Sequence, residues 1–132
     1  MSFQPLAYTY KPLFKPQYLA AITGTQTPPA LYIAPPAPLQ ETVIKQLKVQ
    51  NTGVGPGTFT LFIVPLNDTP QAYNCVAASE PLNAAATAGD AKTAADLGLI
   101  NCTLLPGWGI YGNGTGSVSI SCSGIEVTVA GA

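Results

Sequence analysis

Ser117-Val-Ser-Ile-Ser-Cys-Ser-Gly-Ile-Glu-Val-Thr-Val129 alternates apolar and polar residues but changes phase midway. Val118, Ile120 and Cys122 fall on one side, with Ser117, Ser119, Ser121 and Ser123 opposite them. After Gly124 the apolar set moves to Ile125, Val127 and Val129, and Glu126 and Thr128 become the alternates. A period of two is that of a strand with one face in a core. A one-residue phase slip at glycine predicts a β-bulge at Gly124.

The same period recurs upstream. Thr58–Val64 places Phe59, Leu61 and Ile63 on one face and Phe62 and Val64 on the other. Being apolar on both faces, it reads as a central strand. In Glu41–Asn51, Val43, Leu47 and Val49 share a face, while Gln46, Lys48 and Gln50 lie opposite with Ile44. Lys45 intrudes on the apolar face, which suggests a sheet margin. Ala30–Ala34 reads as a short strand closed by Pro35, Pro36 and Pro38. Gln71–Ala78, Gly98–Leu105 and Trp108–Tyr111 read as further strands. The glycine-rich run 51–57 has no Lys-Ser/Thr after it, so it reads as a hairpin loop and not a phosphate cradle. The alanine-rich stretch 83–98 reads as a loop with at most two helical turns, Gly98 being a possible cap. Short strands with turn signals at this spacing predict an all-β fold, an antiparallel β-sandwich or jelly roll, over residues 29–132.

Residues 1–28 are different. Pro5, Pro12, Pro16 and Pro28 are interspersed with Phe3, Tyr8, Tyr10, Phe14 and Tyr18, with no sustained period. Proline at this density forbids a helix and interrupts a strand ladder. The aromatics are too many for a solvated tail. The segment therefore reads as an extended N-terminal arm that lays its rings on another protein surface. The alternative is an arm that folds back over its own sandwich.

Only 8% of the 132 residues are charged, against about 25% in an ordinary soluble domain. With a mean hydropathy of +0.28, part of the surface is expected to be covered by protein partners. There is no histidine and no arginine, and the net charge is −1. The usual general base near neutral pH, the commonest metal ligand and the preferred phosphate reader are all missing. Asp68, Asp90, Asp96, Glu41, Glu80 and Glu126 are scattered and suggest neither a carboxylate pair nor a calcium loop. The expectation is no enzyme, no catalytic residue, no metal or other cofactor, and no nucleic-acid partner. Apolar runs are strand-sized, and the first residues lack the pattern of a signal peptide, so neither a membrane partner nor secretion is expected. Cys75, Cys102 and Cys122 are an odd set without a Cys-x-x-Cys pair, which favours reduced thiols over a disulfide between two of them. The Asn-x-Thr triplets at 67, 101 and 113 are ascribed to chance in a chain rich in Asn and Thr.

Five strings occur in an order that carries a resemblance. They are Leu31-Tyr-Ile-Ala-Pro35, Ile44-Lys-Gln-Leu-Lys-Val-Gln-Asn-Thr52, Thr60-Leu-Phe-Ile-Val-Pro65, Leu104-Leu-Pro-Gly-Trp-Gly-Ile110 and Ser123-Gly-Ile-Glu-Val127. In this order the chain, from about residue 30 to 129, resembles the small β-sandwich virion proteins of tailed bacteriophages, the head decoration or cement family. The family's usual Pro-Gly-Asp at the late turn is Pro106-Gly107-Trp108 here, so no role tied to an acid at that turn carries over. The resemblance implies a non-enzymatic virion protein, assembled in the host cytoplasm, that decorates and cements capsid subunits. Its partners would be the major capsid protein or other virion proteins, and copies of itself as a dimer or trimer. The same module occurs in tail- and fibre-associated proteins, so attachment or host recognition is the alternative. The expected protein-interface residues are Phe3, Tyr8, Tyr10, Phe14 and Tyr18 of the arm, with Trp108 at the loop edge.

Overall fold

The alternating stretch at 117–129 becomes the longest-paired strand of the molecule, flanked by strands on both sides. The structure is a computed structural model and describes residues 5–23, 26–36 and 39–129. Its strands are β1 (Leu6–Tyr18), β2 (Ala30–Ile33), β3 (Leu39–Asn51), β4 (Gly57–Val64), β5 (Cys75–Leu82), β6 (Ala91–Thr93), β7 (Thr103–Leu104), β8 (Gly109–Thr115) and β9 (Val118–Val129). A 3-10 turn (Ala72–Asn74) and a one-turn helix α1 (Ala94–Leu97) complete the described elements. One sheet has the order β1-β9-β3-β6, with β7 also beside β3, and the other the order β2-β8-β4-β5. Every pairing is antiparallel. The first strand lies beside the last, the second beside the eighth, and the fourth beside the fifth. This nesting is a jelly roll, and the all-β sandwich expected from the sequence is what forms.

Phe59, Leu61, Ile44, Leu82, Leu104, Ile110 and Ile120 are almost fully buried between the sheets. Two glycines within β8 show why a run that looks like a turn is a strand. A Cβ on Gly112 would stand 2.6 Å from Leu61 Cδ2 and 2.9 Å from the Thr60 carbonyl oxygen. One on Gly114 would stand 3.0 Å from both Leu19 Cβ and the Thr58 carbonyl oxygen. These glycines make room for core side chains and do not bend the chain. Nor is 51–57 a hairpin loop, since β3 and β4 belong to different sheets. It is an inter-sheet crossover pinned by buried Asn51. Asn51 Nδ2 donates to the carbonyls of Gly55 (2.8 Å) and Asn83 (3.0 Å), while Oδ1 accepts from Gly53 N (2.9 Å).

The bulge expected at Gly124 lies across the ladder instead. β9 keeps its phase throughout, with Val118, Ile120, Cys122, Gly124 and Glu126 all buried. The register shift falls on β3, between the pairs Ile44–Gly124 and Gln46–Ser123. The extra residue is Lys45, and it turns the inward set from Thr42 and Ile44 to Leu47, Val49 and Asn51. The intruding lysine marks the bulge, not a margin, since β3 is paired on both sides.

Two further stretches differ from expectation. Gln71–Ala78 opens with the 3-10 turn before β5 begins. Gly98–Leu105 holds only the two residues of β7, because Gly98 (φ 71°) and Asn101 (φ 60°) adopt left-handed backbone. Asn101 N donates to the Ile44 carbonyl (2.8 Å) and Ile44 N to that of Cys102 (2.9 Å), so this loop closes over the β3 bulge.

The N-terminal segment departs from the reading as an arm laid on another protein and matches the alternative, folding back over its own sandwich. Residues 6–18 are not an unpaired arm but β1, laddered to β9 from Leu6–Val129 to Tyr18–Ser119. The prolines are accommodated in the two ways open to them, on an edge strand and at register shifts between Pro12 and Phe14 and between Phe14 and Gln17. Leu13, Phe14 and Leu19 are buried in the same core cluster as Ile120 and Cys122. Leu19 N donates to the Val118 carbonyl (2.8 Å) and Gly114 N to that of Ala20 (3.2 Å), so the chain after β1 bridges the two sheets.

Candidate protein-interaction surface

Residues directly opposite in an antiparallel pair share a face. On the five-stranded sheet, Glu126 is turned toward the other sheet, where it meets Tyr32 of β2. Val127 and Ile125 therefore point outward, and so do their partners on β1. Leu6 lies opposite Val129, Tyr8 opposite Val127, and Tyr10 opposite Ile125. Beyond them on β3, Val43 lies opposite Ile125 and Glu41 opposite Val127. Val127 is only 3% exposed, whereas Leu6 is 45%, Tyr8 68% and Tyr10 56% exposed. The outward face thus carries an apolar row whose outer rank is two tyrosines and a leucine in water.

A groove of about 540 Å³ continues this face toward the other end of the sheet. Pro12, Phe14 and Pro16 contribute to it from β1, Ala94, Ala95 and Ile100 from around α1, and Gln46, Lys48, Ser121 and Ser123 from the sheet between. Tyr10 joins row and groove, its hydroxyl lying 2.9 Å from Ser123 Oγ.

Under the row is a polar clasp. Glu126 Oε1 accepts from Lys11 Nζ (3.0 Å), and Glu126 Oε2 from the Tyr32 hydroxyl (2.6 Å). The Tyr32 hydroxyl also lies 2.9 Å from Oγ1 of the fully buried Thr42. The clasp joins β1, β9 and β3 to β2 of the opposite sheet. Burial and the hydrogen bond to Glu126 push the Tyr32 pKa far above the ordinary tyrosine range. A hydroxyl so reluctant to ionise, on a carboxylate already engaged by a lysine, suits a structural tie.

The remaining expected residues separate. Tyr18 is exposed at the far end of β1. Phe14 is buried, because the register shift beside it turns it toward Cys122 and the core, so it is unavailable as a large contact surface. Trp108 is partly buried and packs on the core, its carbonyl accepting from Ala34 N at 2.7 Å. Phe3 lies outside the described residues. Sequence reasoning missed Leu6, which its pairing with Val129 places in the row. It also missed Ile33, Leu66 and Leu105, all exposed near the turn that precedes Trp108. Leu66 lies over Gly107, where a Cβ would collide with its Cδ1. The available signal was a large apolar residue beside a proline turn, as in Pro65-Leu66 and Leu105-Pro106.

Cys75, Cys102 and Cys122 are free thiols. Burial raises Cys102 and pushes Cys122 up to about 12. Among the described residues no three metal-capable side chains come together. No protein-family model, no curated protein and no solved structure matches this chain.

Proposed function

We propose that this chain is a non-enzymatic structural protein of a tailed-phage particle, which decorates the capsid and holds neighbouring subunits together by protein–protein packing. The outward row of Leu6, Tyr8 and Tyr10 carries this reading, because it exposes large apolar side chains side by side in a chain of 8% charge. The ordered motifs of β2, β3, β4, the 104–110 turn and β9 point toward the phage virion, whereas a jelly roll by itself hosts many functions.

The energetics suit a protein that binds in many copies. Burying such side chains contributes about 1.5–3 kcal/mol each when complete. Association costs about 4–15 kcal/mol in lost freedom, so one copy on its row alone binds weakly. Because β1 is already ordered within its own sheet, the cost of about 1–2 kcal/mol per residue for ordering an arm does not arise at the interface. Attachment through several copies raises the effective affinity.

Co-sedimentation with undecorated capsids of the encoding phage tests the proposal. The wild-type protein should saturate the capsids, and Tyr8→Ser/Tyr10→Ser should lose most of this binding with little change in melting temperature. Failure of the wild type to sediment with capsids at saturating concentration overturns the reading. A tail or fibre station is the second reading, favoured by the exposed Ile33, Leu66, Leu105 and Tyr73 on or beside loops. Copy number per particle separates the two, since a decorating protein scales with capsid subunits and a tail protein does not.

A further inference from the structure

We infer that β1 is a self-pairing edge, through which two copies join antiparallel about a two-fold axis at Tyr8. This rests on the same exposed strand as the proposed coating role, but not on the role itself.

β1 pairs with β9 on one side and with no described strand on the other. The other edges are blunted in ways that discourage pairing. β2, β6 and β7 have four, three and two residues. β5 is broken by Ser79 at φ 45° and by Pro81. β1 has 13 residues, and its guards are uneven. Lys11, Pro12, Lys15 and Pro16 protect the second half, whereas Leu6-Ala7-Tyr8-Thr9-Tyr10 contains neither charge nor proline.

That asymmetry selects both occupant and register. With the axis at Tyr8, Leu6 faces the partner's Tyr10, Ala7 the partner's Thr9, and Tyr8 the partner's Tyr8. Lys11 falls opposite the partner's Pro5, and the lysines never oppose each other. An axis at Lys11 sets like charges directly opposite, which is destabilising. An axis at Thr9 brings Pro12, which has no N–H to donate, opposite Leu6. Only the Tyr8 register keeps the unguarded residues in the ladder and the guards outside it. It also fuses two outward rows into one, running Val127, Tyr8, Tyr8 and Val127 across the junction. A two-fold closes the assembly and leaves no further long edge among the described strands.

The contact is small. An aromatic residue buries about 150–250 Å² when fully covered, so two half-exposed rings and a five-residue edge fall short of the roughly 800 Å² per partner of a standard interface. The dimer is therefore weak and concentration-dependent.

Sedimentation equilibrium over the micromolar to millimolar range tests it. The wild type should pass from monomer to dimer. Tyr8→Lys and Tyr8→Glu should each associate about tenfold or more weakly, because position 8 opposes itself. Mixing the two variants should restore a heterodimer. Thermal melts should show both variants folded, since Tyr8 is mostly exposed. A wild type monomeric throughout, variants that dimerise like the wild type, or a mixture that fails to recover would each overturn the inference. A dimer that leaves capsids bare would overturn the coating role instead.

Discussion

Gly124 illustrates how one side chain's absence serves a whole sheet. It sits opposite Ile44 where β3 takes in Lys45 as an extra residue. A Cβ there would drive into the Val43 carbonyl oxygen and press on Leu13 Cδ1 at 3.3 Å. Backbone cannot retreat as a flexible side chain can, so Gly124→Ala should destabilise the fold by about 2 kcal/mol or more. Gly55→Ala, with nothing near the new methyl, should be close to neutral. Urea unfolding of the two variants provides the comparison. Cys122 gives a second prediction at this scale. Burial raises its thiol from 9.0 to about 12, so the unfolded chain releases this proton at lower pH than the folded one. Its contribution is complete below pH 9 and is lost as pH rises toward 12, because above 9 the unfolded state binds fewer protons. Tyr32 acts in the same direction from pH 10 upward. Unfolding free energy should fall across this alkaline window, and Cys122→Ala should be less stable at neutral pH yet show a shallower decline.

Among the elements, β1 matters most. A jelly roll needs its first strand beside its last, and removing residues 1–18 would turn β9 into an edge and strip Leu13 and Phe14 from the core. Leu19 would also lose the strand that leads into it. The truncated protein should therefore fail to fold cooperatively, contrary to what an independent arm implies. Phe14→Ala alone should cost about 3–5 kcal/mol, as large-to-small core changes do. Circular dichroism melts of both proteins check this. An intact, wild-type-like melt for the truncation would mean that β1 is dispensable after all. The clasp from Lys11 through Glu126 to Tyr32 gives the same strand a polar anchor to the opposite sheet.

Across the whole molecule, the low charge and the outward tyrosine row belong together. Charge is what keeps an isolated domain apart from its neighbours, and this chain carries little. Leu6, Tyr8 and Tyr10 stand together on one sheet face and Ile33, Leu66 and Leu105 near one turn, while Val54, Tyr73 and Val76 are exposed singly elsewhere. Under the proposed role, Tyr8 and Tyr10 contribute to association and almost nothing to folding. Capsid occupancy and melting temperature should therefore separate cleanly in Tyr8→Ser/Tyr10→Ser.

The amino-acid sequence by itself determined the class of fold and several of its strands. Alternation over 117–129, 58–64 and 41–51 is a local property, since successive side chains of a strand point to opposite sides whatever lies beyond. The low charge and the missing histidine and arginine are equally plain in the residues. What only the tertiary structure decided concerns relations between distant segments. The phase slip read at Gly124 belongs to β3, because a bulge is a mismatch between two strands and one strand's pattern cannot tell which carries the extra residue. Gly112 and Gly114 are strand residues because Leu61 and Leu19 need their space, while Gly116, at φ 74°, is the turn that follows. Tyr8 and Tyr10 are a surface row and Phe14 a core residue because a register shift at Pro12, fixed by pairing with β9, turns the chain between them. The prolines argued correctly against regular hydrogen bonding, yet an edge strand asks for only half of it.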